Sequence, residues 1–157
     1  MARESDILQA ILDRLRSELQ LGERTAFLAL SHSEPPKVPR AGDWVLTVTP
    51  GRSQYPLEEQ AFGQQLVEEL VITVTIYTRI ALDPVDHAEA LILDATRGLA
   101  EAKRRVARAL AGRMLFSGPT PLVRDALELR FASEIHYAPE AHIAWQELDF
   151  AVRFDWD

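Results

Sequence analysis

Residues 69–79, ELVITVTIYTR, decide the fold. Side chains on a strand alternate with a period of two, so Leu70, Ile72, Val74 and Ile76 share one side while Val71, Thr73, Thr75 and Tyr77 share the other. The first set belongs to a core. The second is apolar enough to be covered and polar enough to be wet, which raises the question of what it meets. The same pattern recurs in DWVLTVTPG, residues 43–51, where Trp44, Leu46 and Val48 oppose Val45, Thr47 and Thr49 before Pro50-Gly51 is expected to end the strand. Two such strands joined by a long polar excursion predict an extended hairpin.

Working outward, Ser5 is the expected N-cap of a helix carrying Ile7, Leu8, Ile11, Leu12, Leu15 and Leu19 on one stripe, with Gly22 as its stop. TAFLALS, residues 25–31, predicts a short strand, and the proline-rich stretch at 32–43 predicts a loop. A long helix is expected from an Asp83 cap and Pro84 to Gly112, along the seam Ala88, Leu91, Ile92, Ala95, Leu99, Ala102, Val106 and Leu110, with a kink at Gly98. FSGPTP, residues 116–121, predicts a turn. Leu127, Leu129, Phe131 and Ile135 then alternate with polar neighbours, and a last strand follows the turn at Tyr137–Glu140. In that last strand Ile143 and Trp145 fall out of phase with Leu148, Phe150, Val152, Phe154 and Trp156, which predicts a bulge near Gln146. This order of elements predicts one α+β domain over residues 1–157, a mainly antiparallel β-sheet with two helices packed on one face.

Composition narrows the function. A chain of 157 residues, 47% hydrophobic and 26% charged, is long enough to bury a core without staples. It has no cysteine, which removes thiolate chemistry and fits a reducing compartment. The charge-broken amino terminus reads as neither signal peptide nor anchor. A net charge of −7 argues against a protein whose main work is holding nucleic acid. The seven glycines are scattered singly, leaving no phosphate-cradling motif, and the four histidines include no HExxH pair. Asp83, Asp86, His87 and Glu89 read as helix-start acids before they read as metal ligands. His32 between Ser31 and Ser33 lacks the elbow that a nucleophile needs, and KRRVAR, residues 103–108, reads as a solvated helix end that complements the dipole. Catalysis, cofactor and metal are therefore not expected.

What remains is the half-polar sheet face and a surplus of bulky aromatics. The plain reading is a solvated face; the functional one is that another subunit covers part of it. The candidate contact residues are Arg52, Tyr55, Phe62, Thr73, Thr75, Tyr77, Trp145 and Trp156, with Trp44 expected in the core.

WVLTVTPG, EELVITVTIYTR, the helix ATRGLAEAKRRVARAL and the closing ELDFAVRFDWD together resemble the tail terminator family of long-tailed bacteriophages, also called tail-completion or neck proteins, from about Ile7 to Trp156. The resemblance implies a small α+β subunit without enzymatic activity. It implies assembly as a homo-oligomer, a hexameric ring at the head-proximal end of the tail tube that binds the tube protein and the head-tail connector. DNA would pass through its lumen without sequence-specific binding, and the protein would reside in the virion after assembly in the host cytoplasm. The alternatives are another neck or baseplate adaptor ring and, from a different class, a soluble small-molecule-binding domain or enzyme, which would show a closed pocket and a monomer or dimer.

Overall fold

A computed structural model describes residues 2–31, 35–38, 43–56, 66–79, 91–94 and 97–156. The first helix, α1 (Glu4–Leu19), buries Ile7, Leu8, Ile11, Leu12, Leu15 and Leu19, the stripe read from the sequence. Both of its ends differ from expectation. The capping residue is Arg3, and Ser5 lies inside the first turn because Asp6 Oδ2 accepts the Arg3 amide at 3.1 Å and so satisfies that end. At the other end Gln20 takes the left-handed conformation, φ 56°, and stops the helix before Gly22.

Strand β1 (Ala26–Leu28) is shorter than expected and runs parallel to β2 (Trp44–Gln54), with Ala26 opposite Leu46. The Arg16 guanidinium occupies the Ala26 carbonyl at 2.8 and 3.0 Å, which blunts this sheet edge. β2 and β3 (Val67–Arg79) form the expected antiparallel pair. Pro50-Gly51 does not end β2. The register shifts between Pro50 and Ser53, and the strand resumes with Ser53 opposite Leu70. A bulge is tolerated there because β1 stops opposite Val48, leaving Pro50 on an exposed edge. Gly51 suits the position, since an added Cβ would lie 3.0 Å from the Val71 carbonyl oxygen.

The long helix is interrupted. Its expected start, including Asp83 and Pro84, lies outside the described residues; residues 91–93 are helical and the path breaks at 94. Helix α2 (Leu99–Leu110) begins anew at Gly98, where a Cβ would stand 2.5 Å from the Ile92 carbonyl oxygen, so only glycine permits this approach. Trp44 ties the restart to the sheet: its indole N–H donates to the Arg97 carbonyl at 2.9 Å, and the Arg105 guanidinium sits 5.5 Å above its ring. After α2, Gly112 adopts φ +70° and its amide donates to the Leu127 carbonyl at 2.7 Å.

A tight hairpin of β4 (Phe116–Ser117) and β5 (Thr120–Pro121) turns at Gly118 as the FSGPTP motif predicts. The edge strands β6 (Glu128–Ala132) and β7 (His136–Ala138) both pair with β8 (Ile143–Asp155), which lies beside β3. The sheet order is β1-β2-β3-β8-β6, with β7 beside β6 along β8.

Two phase expectations fail here. β8 pairs with β3 without interruption from Val67↔Asp155 to Arg79↔Ile143, so there is no bulge at Gln146. Ile143 and Trp145 point outward because that end of the outer face has its own apolar cluster, Val38, Val45 and Ile143, with Phe27, Tyr77, Ala138 and Trp145 packed around it. The irregularity sits in β6 instead. A register shift between Leu129 and Phe131 keeps Leu129 on the core side, opposite Phe150, and turns Phe131 to the other face, opposite Asp149. Phe131 is 59% exposed, not part of the core.

Buried residues of α1, α2 and the inward side of β2, β3 and β8 make one core. The architecture is α+β, with α1 and α2 on one face of a mainly antiparallel sheet. No helix among the described residues is long and apolar enough to cross a membrane.

Candidate assembly interface

The face of the sheet away from the helices is banded across its strands. At one end the pairing aligns Val45, Tyr77, Trp145 and His136. Tyr77 and Trp145 have ring centroids 6.2 Å apart, and His136 stacks on Trp145 at 5.4 Å. The next two rows are Thr47–Thr75–Glu147 and Thr49–Thr73–Asp149. Thr73 Oγ1 donates to Asp149 Oδ1 at 2.7 Å, and the Thr47 and Thr75 hydroxyls hydrogen-bond the Tyr77 phenol. Burial raises the pKa of that phenol and the threonine hydrogen bonds oppose the rise, so it stays protonated near neutrality. Beyond them the pairing aligns Gln54, Glu69 and Arg153, and Glu69 accepts from Arg130 at 2.7 Å with Arg153 at 3.5 Å.

Ala29, Leu30, Ser31 and Pro35 stand over the threonine rows and define an open trough of about 360 Å³. Leu30 projects at its rim, 80% exposed. The trough brings together Thr73, Thr75, Tyr77 and Trp145 of the sequence-selected residues. Thr75 is only 5% exposed, whereas Thr73, Tyr77 and Trp145 are half-buried; all four line the trough.

The remaining candidates lie elsewhere. Tyr55 and Trp156 meet edge to face at 6.1 Å and both bond the Glu68 carboxylate: Trp156 Nε1 donates at 3.0 Å, the Tyr55 hydroxyl at 3.3 Å, and Ser53 Oγ adds a third bond at 2.8 Å. Glu68 is opposite Phe154 on the helix side of the sheet, beside the start of α1, so these two aromatics form a second, separate patch. Glu4 lies in the same hollow; burial and then the neighbouring Glu68 charge hold its carboxyl above the ordinary range. Arg52 is exposed within the β2 bulge, and Phe62 lies outside the described residues.

Sequence reasoning overlooked His136, Phe131 and Leu30. His136 joins the aromatic row through strand pairing, Phe131 reaches the outer face opposite Asp149 through the β6 shift, and Leu30 reaches the threonine rows from a loop crossing the face. None leaves a local pattern.

No protein family matches this chain, and no curated protein matches it. Among solved structures, a chain from one described as the virion of a native gene transfer agent particle is 20% identical and covers 94% of this chain and 93% of its own, at a TM-score of 0.49. Another solved chain, whose name states no function, is 14% identical and covers 98% of this chain and 94% of its own, at a TM-score of 0.50. At such identity the second likeness speaks to the fold alone.

Proposed function

We propose that this protein is a structural ring subunit of a phage-type tail, placed at the head-proximal end of the tail tube, where it ends tube polymerisation and joins the tail to the head connector. The α+β arrangement agrees with what the tail terminator resemblance implies. The observation that carries the reading is the presence of two separate surfaces. A ring is closed by a heterologous contact in which one patch meets a different patch on the neighbour. The trough walled by Thr73, Tyr77 and Trp145 is one such surface, and the Tyr55–Trp156 patch is the other. The net charge of −7 suits a conduit through which DNA passes without being held. In this reading the chain works by binding, in the virion, and needs no cofactor.

A small-molecule-binding role is the second reading, because the trough volume lies in the range of ligand pockets. Against it, the trough is open, and several of its hydroxyls already bond one another or a neighbouring carboxylate.

Particle assembly with and without the chain tests the ring role. Loss of the chain is expected to leave over-long tubes without heads. Normal tails with heads attached would refute the reading. Light scattering on the purified chain separates a ring former from a monomeric pocket protein.

A further inference from the structure

Two charged patches outside the outer face carry no role so far. On the helix layer, Arg104, Arg105, Arg108 and Arg113 converge with Glu18 around a groove of about 250 Å³. Arg104 and Arg105 are engaged with Glu101, at 2.6 to 3.0 Å. Arg108 and Arg113 have no acidic partner among the described residues; Arg113 only donates to the Arg108 carbonyl, at 3.3 Å. Three residues on, Phe116 is 53% exposed. The second patch is the outer edge of β6 and β7 with the turn after it. Glu134 and Glu140 are exposed there and likewise have no cationic partner among the described residues. Between them Ile135, just before β7, and Tyr137, within it, are 36% and 41% exposed.

We infer that these patches are the two halves of one contact between copies of this chain: Arg108 and Arg113 of one copy receive Glu134 and Glu140 of the next, and Phe116 packs against Ile135 and Tyr137. The inference rests on the ring reading and extends its head-to-tail contact, adding a charged pair of patches to the trough and the Tyr55–Trp156 patch. The charges match in number and oppose in sign. A planar guanidinium accepts a carboxylate through two parallel hydrogen bonds, which fixes the orientation of the neighbour. Pairing also covers exposed apolar side chains and an unprotected strand edge, both liabilities if left bare. Nucleic acid fits the groove poorly. Its affinity comes from neutralising phosphates, whereas Arg104 and Arg105 here are already neutralised by Glu101 and only Arg108 and Arg113 lack an acidic partner among the described residues of the groove.

The test uses two double variants of the full chain, Arg108→Glu with Arg113→Glu, and Glu134→Arg with Glu140→Arg, followed by sedimentation and light scattering. Each alone is expected to lower self-association by roughly tenfold or more, since like charges facing across an interface are strongly disfavoured. An equimolar mixture of the two is expected to restore association, because each reversed patch then meets its complement. Loss of folding cannot produce that rescue. Wild-type association should also weaken as salt rises. Variants that assemble like wild type would overturn the inference and leave the ring reading standing, and so would loss of association that mixing fails to restore. A wild-type chain that stays monomeric at every soluble concentration and also fails to assemble on tail tubes would overturn both.

Discussion

Along β3 the inward side chains Leu70, Ile72, Val74 and Ile76 are all sealed from solvent, whereas of the outward set Val71, Thr73 and Tyr77 remain half-buried and Thr75 alone is closed over. The inner face packs against α1 and α2 and needs only apolar side chains of suitable size. The outer face is covered piecemeal, by a loop at one end and by cross-strand hydrogen bonds and ion pairs elsewhere. Stability therefore resides on the inner face, and the capacity to meet a partner on the outer face and the sheet's margins.

The strongest test of this contrast truncates one large aromatic on each side of β8. Phe150→Ala should cost about 3–5 kcal/mol, as for other fully buried aromatics. Trp145→Ala, at a half-exposed site, should cost clearly less by urea unfolding, and equal losses would break the comparison. Next comes Glu68→Ala, which removes the acceptor for Ser53, Tyr55 and Trp156. Losing these bonds to a buried carboxylate should cost about 1–3 kcal/mol. Thr73→Val deletes only the bond to Asp149 on the wetter face, and a loss near 1 kcal/mol or below is expected in thermal unfolding.

Smallest are the pH effects, which run in opposite directions at two sites of the helix layer. Hydrogen bonds from Arg104 and then Arg105 lower the Glu101 pKa from 4.5 to about 2. A depressed acid contributes stability above its unfolded pKa, so this contribution should be lost as pH falls from about 4.5 through about 2 and should be absent in Glu101→Gln. Glu4 has a raised pKa, caused first by burial and then by Glu68. Its contribution is present at acid pH and lost as pH rises through the elevated value, so Glu4→Gln should slightly raise the melting temperature at neutral pH.

The contact candidates read from the sequence were chosen by residue type, and their grouping depended on pairing. Thr73, Tyr77 and Trp145 share a trough because β3 and β8 align without interruption. Tyr55 and Trp156 meet because Glu68 draws both, a convergence between chain segments far apart in sequence. Gly98 was visible as a weak point in the long helix, yet a full restart there requires the Ile92 carbonyl to come so near that no side chain fits.

By itself the sequence determined the α+β class, the inward residues of β2 and β3 and the apolar stripe of α1, because alternation and helical periodicity are properties of neighbouring residues. Only the tertiary structure decided that Pro50-Gly51 makes a bulge, that Phe131 turns outward and that Ile143 and Trp145 belong to a second cluster. Each of these depends on where a partner strand stops or what lies across a face, and such information is carried by residues remote along the chain.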